Sequence, residues 1–206
     1  MNRQEKNSLR FQQIVASALV EFGTKSYGEA SINLICKNGG ISKGSLYHYF
    51  KDKDALYLYC VKEAFDALVY ELDKGTITFQ PVEKAITHYL SLRQQFFVKN
   101  PRYAFLFTSA LAHPPAHLLA EIEEIKKELE TFNLSYYQKA IEHVTLKSDY
   151  TKEEAIDYFL IFQESFNHYF QNKKYTDYQA LIADHELKLA KLLRIILYGM
   201  AQEEMK

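Results

Sequence analysis

Apolar residues in the first fifty positions recur at the spacing of helices, in one long group and two short ones. From Leu9 to Phe22 they fall every three or four positions, and Gly23 follows as a stop signal. The two short groups lie in residues 32–35 and 46–50, on either side of Gly39-Gly40. The pattern therefore predicts a long helix, a short helix, a tight glycine turn and a third helix of barely two turns.

Polar residues mark where several helices begin. Ser31 and Ser42 stand at N-cap positions before the second and third helices. Asp52 is placed to cap a long fourth helix, and Thr151 and Glu154 have the spacing of a capping box near the end of the chain. These side chains can satisfy the backbone N–H groups that the first turn of a helix leaves unpaired.

Glycine and proline divide the rest of the chain. The fourth helix is predicted to end at Gly75, the next runs from Pro81 to Asn100, and another runs from Pro101 to Pro114-Pro115. Three further helices are predicted at about 116–145, 151–171 and 178–202. Because no segment alternates as a strand does, the chain is predicted to be all-α, with about nine helices.

The composition is typical of a folded protein. Of 206 residues, 48% are apolar and 25% are charged, with only 4 Pro and 7 Gly. No apolar run approaches the roughly 18 residues that a membrane helix needs. The first residues also carry no hydrophobic segment of the kind found in signal peptides. We therefore expect a cytoplasmic protein with no membrane partner.

Charge is distributed unevenly along the chain. Residues 1–62 contain 9 Lys and Arg against 5 Asp and Glu, or +4, which leaves 16 against 21, or −5, for the remainder. A basic N-terminal third on an acidic body indicates a local anionic partner, and nucleic acid is the first candidate.

Residues that could carry out catalysis or hold a metal are not arranged for either. The sequence lacks the paired Glu-x-x-His motifs of di-iron helical bundles. "HELKL" at His185 lacks the second histidine of a zinc-protease helix and is expected to be a solvated helix start. His113 and His117 are separated by two prolines, which break the helix that would align them. Cys36 and Cys60 lack CxxC spacing and are expected to be buried apolar residues. We expect no enzyme activity, no metal and no cofactor.

The stretch "GGISKGSLYHYFKDKD", residues 39–54, has the composition of a DNA-reading helix and its flanks. Two short helices joined by a tight turn are typical of a helix-turn-helix, whose last helix enters a major groove. Hydroxyls and helix N-termini bind phosphate, glycine permits close approach, and longer donors reach base edges. We expect Leu46, Tyr49 and Phe50 to face the core. The residues predicted to contact DNA are Ser31, Ser42, Lys43, Gly44, Ser45, Tyr47, His48 and Lys53.

The run "ISKGSLYHYFKDKDAL" resembles the recognition-helix signature of the TetR family of bacterial transcriptional regulators. The resemblance covers roughly residues 9 to 60, with departures at Leu34, Cys36 and Asn38-Gly39. The positions that keep the family pattern are Gly40, Ile41, Ser42, Gly44, Leu46, Tyr47, Tyr49, Phe50 and Lys53.

The resemblance implies a DNA-binding domain at residues 1–52 and a helical ligand-binding and dimerisation domain at residues 53–206. It also implies a homodimer on a palindromic operator in double-stranded DNA, because one short helix specifies only a few base pairs. Pairing would use the last two helices. The predicted interface residues are Tyr158, Phe159, Leu189, Leu193, Ile196 and Leu197.

The function that the resemblance implies is that of a repressor, which leaves DNA when an unknown small-molecule effector binds the body and moves the fourth helix. The many aromatic residues of the body could line an effector pocket, although core packing explains them equally well. The predicted pocket residues are Phe65, Phe96, Phe105, Ser109, His113, Tyr137, Phe162 and Phe166. A DNA-binding regulator without such an effector, either an activator or one controlled by a protein partner, would have the same DNA-binding domain, or head, at residues 1–52. This alternative therefore stays open.

Overall fold

The structure is a computed structural model that describes residues 3–75, 79, 81–175 and 177–201. Over these residues it contains nine α-helices, one 3₁₀ turn and no strand, which confirms the predicted all-α class. None of the helices in the described ranges is both long and apolar enough to cross a bilayer. In chain order they are α1 (Arg3–Phe22), α2 (Ile32–Gly39), α3 (Lys43–Tyr49), α4 (Lys53–Asp73), α5 (Val82–Lys99), α6 (Pro101–Ala112), α7 (Leu119–Glu142), α8 (Lys152–Gln171) and α9 (Tyr178–Met200).

Most of the predicted helix starts are confirmed by their capping bonds. The Ser42 hydroxyl oxygen accepts the Ser45 backbone N–H at 3.1 Å, and the Asp52 carboxylate accepts a backbone N–H of α4 at 2.7 Å. Thr151 and Glu154 form both bonds of a capping box at the start of α8. Each bond satisfies an N–H group that the helix itself leaves unpaired.

Two predicted helix boundaries were wrong. Helix α1 begins at Arg3 rather than at Leu9, because its first turns are polar and apolar spacing does not register them. Its added residues include Gln, Glu, Lys and Arg, which are good helix formers. The segment after Pro115 forms a 3₁₀ turn, Ala116–Leu118, before α7 begins at Leu119. The predicted end of α9 at position 202 lies outside the described residues.

The chain forms two compact units. Unit 1 comprises Met1–Phe65 with Asn100–Ile125, and unit 2 comprises Asp66–Lys99 with Lys126–Lys206. Unit 1 therefore holds the first three helices together with α6, which packs against α1. Compactness does not establish which residues bind which partner, so the functional division at residue 52 stays a prediction.

The core of unit 2 joins helices α5, α7, α8 and α9. Tyr137 of α7 stacks on Phe159 of α8, with ring centroids 4.2 Å apart and planes 9° apart. The buried members of this core are Ile86, Tyr137, Ile141, Ala155, Phe159, Leu193, Leu197 and Met200.

Candidate nucleic-acid interface

The turn between α2 and α3 is built around Gly40. This residue has φ 60° and ψ 37°, a left-handed conformation that glycine adopts at little cost. The Ile41 N–H donates to the Cys36 carbonyl at 2.9 Å, and the Gly40 N–H donates to the Lys37 carbonyl at 3.4 Å. This pair of bonds is a Schellman motif, and it directs the chain into α3.

Close packing against α1 fixes the end of α2. A Cβ atom on Gly39 would lie 2.5 Å from the Ser17 hydroxyl oxygen, so the two helices touch where a side chain cannot fit. The Gln13 side-chain amide also donates to the Gly39 carbonyl at 2.8 Å. These contacts explain why glycine occupies position 39, where the sequence departs from the family pattern.

Helix α3 rests on the core of unit 1 through one of its faces. Leu46 and Phe50 are buried, as predicted. The Phe50 ring stacks on Phe11 of α1 at 5.6 Å, and Phe11 also meets Tyr49 edge-on at 5.8 Å. The Tyr49 hydroxyl donates to the Asn7 carbonyl at 3.1 Å. Aromatic packing therefore sets which face of α3 points outward.

The outward face of α3 brings most of the predicted DNA contacts together. Lys43, Gly44, Tyr47 and His48 are exposed, and Tyr47 exposes 47% of its surface although its aromatic neighbours are packed. Ser42 is exposed at the N-terminus of the helix, and half-buried Ser45 follows in its first turn. The face thus combines a cation, hydroxyl groups, ring donors and open backbone, which are the groups that bind phosphates and base edges.

Ser31 differs in detail from its prediction. It occupies the N-cap position of α2, but its side chain makes no capping bond. Its backbone N–H donates instead to the buried Glu21 carboxylate at 3.0 Å, and Glu21 also accepts from Lys25 at 2.9 Å. Because Glu21 comes from α1, spacing within α2 could not reveal it. The Ser31 hydroxyl is left without a capping role.

Lys53 makes its contacts inside unit 1. Its ammonium donates to the Tyr27 carbonyl at 2.5 Å and lies 4.3 Å from the centroid of the Tyr27 ring. Burial lowers the pKa of Lys53, and the nearby Asp54 and Glu21 carboxylates oppose that effect. In this conformation the side chain supports the start of α4 rather than extending toward a phosphate.

A basic groove beside α3 was missed by the sequence prediction. It has a volume of about 570 Å³ and lies between the polar first turns of α1 and the outer face of α3. Lys6 and Arg10 are its cations, and both are exposed. The signal was the run "RQEKNSLR", which is helical but has no apolar period. The lining residues are Lys6, Asn7, Leu9, Arg10, Gln13, Ser45, His48 and Tyr49.

Comparison with known proteins finds a family match for the N-terminal helices of the chain. Residues 14–60 match the family model described as bacterial regulatory proteins, tetR family. The N-terminal helices of this chain are therefore similar to those of the tetR family. It is 32% identical over 92 residues to the Transposon Tn10 TetC protein of Escherichia coli, a match that covers 43% of this chain and 47% of TetC. The match thus spans about half the length of that relative.

Two further comparisons cover more of the chain. The negative transcriptional regulator IcaR of the biofilm operon icaADBC, from Staphylococcus epidermidis, is 25% identical over 156 residues, covering 74% of this chain and 80% of IcaR. The fold is that of the regulator FadR from Bacillus subtilis, solved in complex with stearoyl-CoA. That likeness has a TM-score of 0.63 at 17% identity and covers 92% of this chain and 98% of FadR.

The residues predicted for an effector pocket divide between the two units. Phe65, Phe105, Ser109 and His113 belong to unit 1. There Phe65 packs on Phe107 with ring centroids 4.5 Å apart, and the Ser109 hydroxyl donates to the Leu106 carbonyl at 3.1 Å. The other four residues belong to unit 2, namely Phe96, Tyr137, Phe162 and Phe166.

Most of the residues predicted for dimerisation pack within unit 2. Phe159, Leu193 and Leu197 are buried in its core, and Leu189 and Ile196 are partly buried against the same core. Only Tyr158 of that set is exposed. The apolar residues that α8 and α9 expose are instead Tyr158, Leu160, Ile161, Tyr169, Leu187, Ile195 and Tyr198.

Proposed function

We propose that this chain is a transcriptional repressor that binds a palindromic operator as a homodimer and is released by a small molecule bound in unit 2. The exposed face of α3 is the observation that carries the proposal, because it is polar and basic on a helix anchored from behind by aromatic residues. Repression is favoured by the likeness to IcaR, which is described as a negative transcriptional regulator.

A second copy of the chain is the proposed partner of the outer faces of α8 and α9. Ile161 and Ile195 expose 59% and 64% of their surfaces, and Tyr158, Leu187 and Tyr198 are exposed on the same two helices. Apolar groups of this size are favourable to bury against a self-complementary face. Two heads about one DNA turn apart would then read both halves of a palindrome.

Helix α4 is the proposed link between an effector and the head. Within unit 1, the Tyr27 hydroxyl donates to Asp54 in the first turn of α4, and His117 Nε2 lies 3.3 Å from the same carboxylate. The hydrogen bond from Tyr27, helped by His117, holds the pKa of Asp54 below its usual range. One carboxylate thus connects the loop before α2, the start of α4 and the turn before α7. A shift of α4 would move the head only if the effector prefers one of the two arrangements.

The DNA part of the proposal is tested by selecting random duplex DNA on the purified protein and sequencing the bound sites. A palindromic consensus is expected, with affinity that falls steeply as salt rises. Lys43→Ala and Tyr47→Ala should each weaken binding by about 1–3 kcal/mol while the protein stays folded. Lys84→Ala and Tyr70→Ala are matched controls, since both residues are exposed in unit 2, and should bind as the wild type does. If a folded protein enriches no sequence, the proposal fails.

The dimer is tested by sedimentation velocity on Ile161→Glu and Ile195→Glu. Each change would place like charges against each other across a two-fold axis, so we expect monomers or a much weaker dimer. Val98→Glu is the control, because Val98 exposes 75% of its surface on α5. A dimer equally resistant to all three changes would show that pairing uses another face.

A further inference from the structure

A chain of partly buried polar contacts links helices α5, α7 and α9 of unit 2. The Tyr89 hydroxyl of α5 donates to the Asn133 side chain of α7 at 2.8 Å, and Arg93 hydrogen-bonds to Tyr89. The Arg93 guanidinium in turn makes two bonds, of 2.8 and 3.0 Å, to the Glu186 carboxylate of α9. His185 Nδ1 then lies 3.0 Å from Glu186 Oε1. His185, expected from "HELKL" to be solvated, exposes only 3% of its surface.

The last contact determines which His185 nitrogen carries the proton. Burial alone raises the pKa of Glu186, but the Arg93 guanidinium, with help from His185, outweighs burial and lowers it to about 2. The carboxylate is therefore ionised near neutral pH and can only accept hydrogen bonds. Nδ1 must be the donor in this contact. In the neutral imidazole, Nε2 then presents a lone pair.

No donor forms a hydrogen bond to that lone pair, and aromatic rings surround it. His185 Nε2 is buried without a hydrogen-bond partner, as is Gln163 Oε1 of α8. The Phe166 and Phe170 rings lie with their centroids 4.9 Å from the His185 ring. Gln163 precedes Phe166 by three residues, so it lies one turn away on the same side of α8. Buried polar atoms in folded proteins almost always have partners, so two unpaired acceptors beside aromatic rings require an explanation.

We propose that His185 and Gln163 are the polar end of the effector site, and that the effector is an aromatic molecule carrying an O–H or N–H donor. The donor would supply the proton that Nε2 and the amide oxygen both lack, and its ring would pack against Phe166 and Phe170. A carboxylate or phosphate is disfavoured, because it would bring lone pairs toward lone pairs and negative charge toward ionised Glu186. This inference rests on the proposed function for the role of the site, but not for its chemistry.

Three probes of similar size test that chemistry on the full chain: phenol, toluene and benzoate. Toluene is the most apolar, so burial alone favours toluene over phenol. We expect phenol to bind about tenfold more tightly than toluene, and benzoate not to bind, in NMR titrations that follow the His185 Nε2 ¹⁵N shift. Added phenol should move the His185 Nε2 ¹⁵N shift toward the value of a hydrogen-bonded nitrogen, and added toluene should not.

His185→Phe and Gln163→Leu remove one acceptor each while keeping a side chain of similar size. We expect the preference for phenol over toluene to disappear in His185→Phe and to shrink in Gln163→Leu. Equal binding of phenol and toluene, no binding of either at millimolar concentration, or a preference that survives in His185→Phe would each overturn the proposal. Val98→Leu, on the exposed side of α5, serves as the control and should keep the wild-type preference.

Operator binding, measured separately, distinguishes this inference from the proposed function. If the chain binds phenol through His185 but enriches no DNA sequence, the proposed ligand site is supported and the proposed regulator function fails. A chain that binds both, with operator affinity unchanged by saturating phenol, would keep the site and overturn its role as the effector site. Loss of operator affinity on adding phenol, absent in His185→Phe, would support both.

Discussion

Gly44→Ala separates the part that α3 plays in folding from its proposed part in DNA binding. Gly44 is helical, and no neighbouring atom lies within 4 Å of the position that a Cβ would take. Among the described residues only Gly40 has a positive φ, so alanine fits the backbone of Gly44 without strain. Because alanine is favoured over glycine by about 0.8–1.0 kcal/mol inside a helix, the variant should be as stable as the wild type or more stable by up to about 1 kcal/mol. In a chain of this size that gain corresponds to a rise in Tm of about 2–4 °C.

The same methyl group should oppose DNA binding. If α3 lies in a major groove with its first turn against the sugar-phosphate backbone, the added carbon occupies the space that the backbone needs. We expect at least a tenfold loss of operator affinity, or about 1.4 kcal/mol. The two effects therefore have opposite signs, which a general loss of structure cannot produce.

Circular dichroism melting and fluorescence anisotropy with a labelled operator measure the two effects. Gly199→Ala is the matched control, because Gly199 is also helical, lies in α9 and has no atom within 4 Å of its Cβ position. It should gain stability and keep wild-type affinity. Wild-type operator affinity in Gly44→Ala would refute the approach of DNA to this turn, and a lower Tm would refute the open environment of Gly44.

Three further outcomes are expected. Ser42→Ala should lower the free energy of unfolding in urea by about 1 kcal/mol, because it removes a capping bond. Ser31→Ala should change that free energy by less than about 0.5 kcal/mol, because the Ser31 hydroxyl makes no such bond. Equal losses would contradict the different roles of the two hydroxyls. Lys6→Gln and Arg10→Gln should each lower the slope of log affinity against log salt by about 0.9 if each cation contacts a phosphate, and unchanged slopes would exclude the groove beside α3 from the interface. Glu186→Gln leaves a buried guanidinium uncompensated and should lose about 3–5 kcal/mol at pH 7. The folded-state pKa of Glu186, about 2, lies below its ordinary value of 4.5, so wild-type stabilisation is complete above pH 4.5 and is lost as pH falls toward 2. The deficit of the variant, followed by urea unfolding, should therefore shrink between pH 4.5 and pH 2, and a deficit independent of pH would refute the ion-pair account.

Local sequence signals predicted the features that depend on neighbouring residues. The caps at Ser42, Asp52 and Thr151 and the left-handed Gly40 each need only the few residues around them, and all are present. The assignment of Leu46 and Phe50 to the core followed from the same helical spacing. The outward face of α3 could therefore be written down residue by residue before its surroundings were known.

Contacts from distant residues account for the predictions that changed. The Ser31 hydroxyl makes no capping bond, and the Ser31 N–H donates to Glu21 of α1. Lys53 turns inward because the Tyr27 carbonyl accepts from it. On α8 and α9, apolar residues occur on more than one side of each helix. Composition alone therefore could not separate the face that packs within unit 2 from the face that is exposed. Phe159 and Leu197 fill the core of unit 2, whereas neighbouring Tyr158 and Tyr198 are exposed.

The buried pair of Arg93 and Glu186 shows why polar residues in the body were the hardest to interpret. The two lie 93 positions apart, and each read alone is an ordinary charge on a helix. Replacing a buried ion pair with apolar residues of similar size is often neutral or stabilising, so stability alone is a weak reason for its presence. A more specific reason follows from its geometry, since an ionised Glu186 accepts a hydrogen bond from Nδ1 and so fixes the orientation of the His185 ring. The pair would then serve recognition rather than stability, by maintaining an acceptor among aromatic rings where an apolar core would offer none.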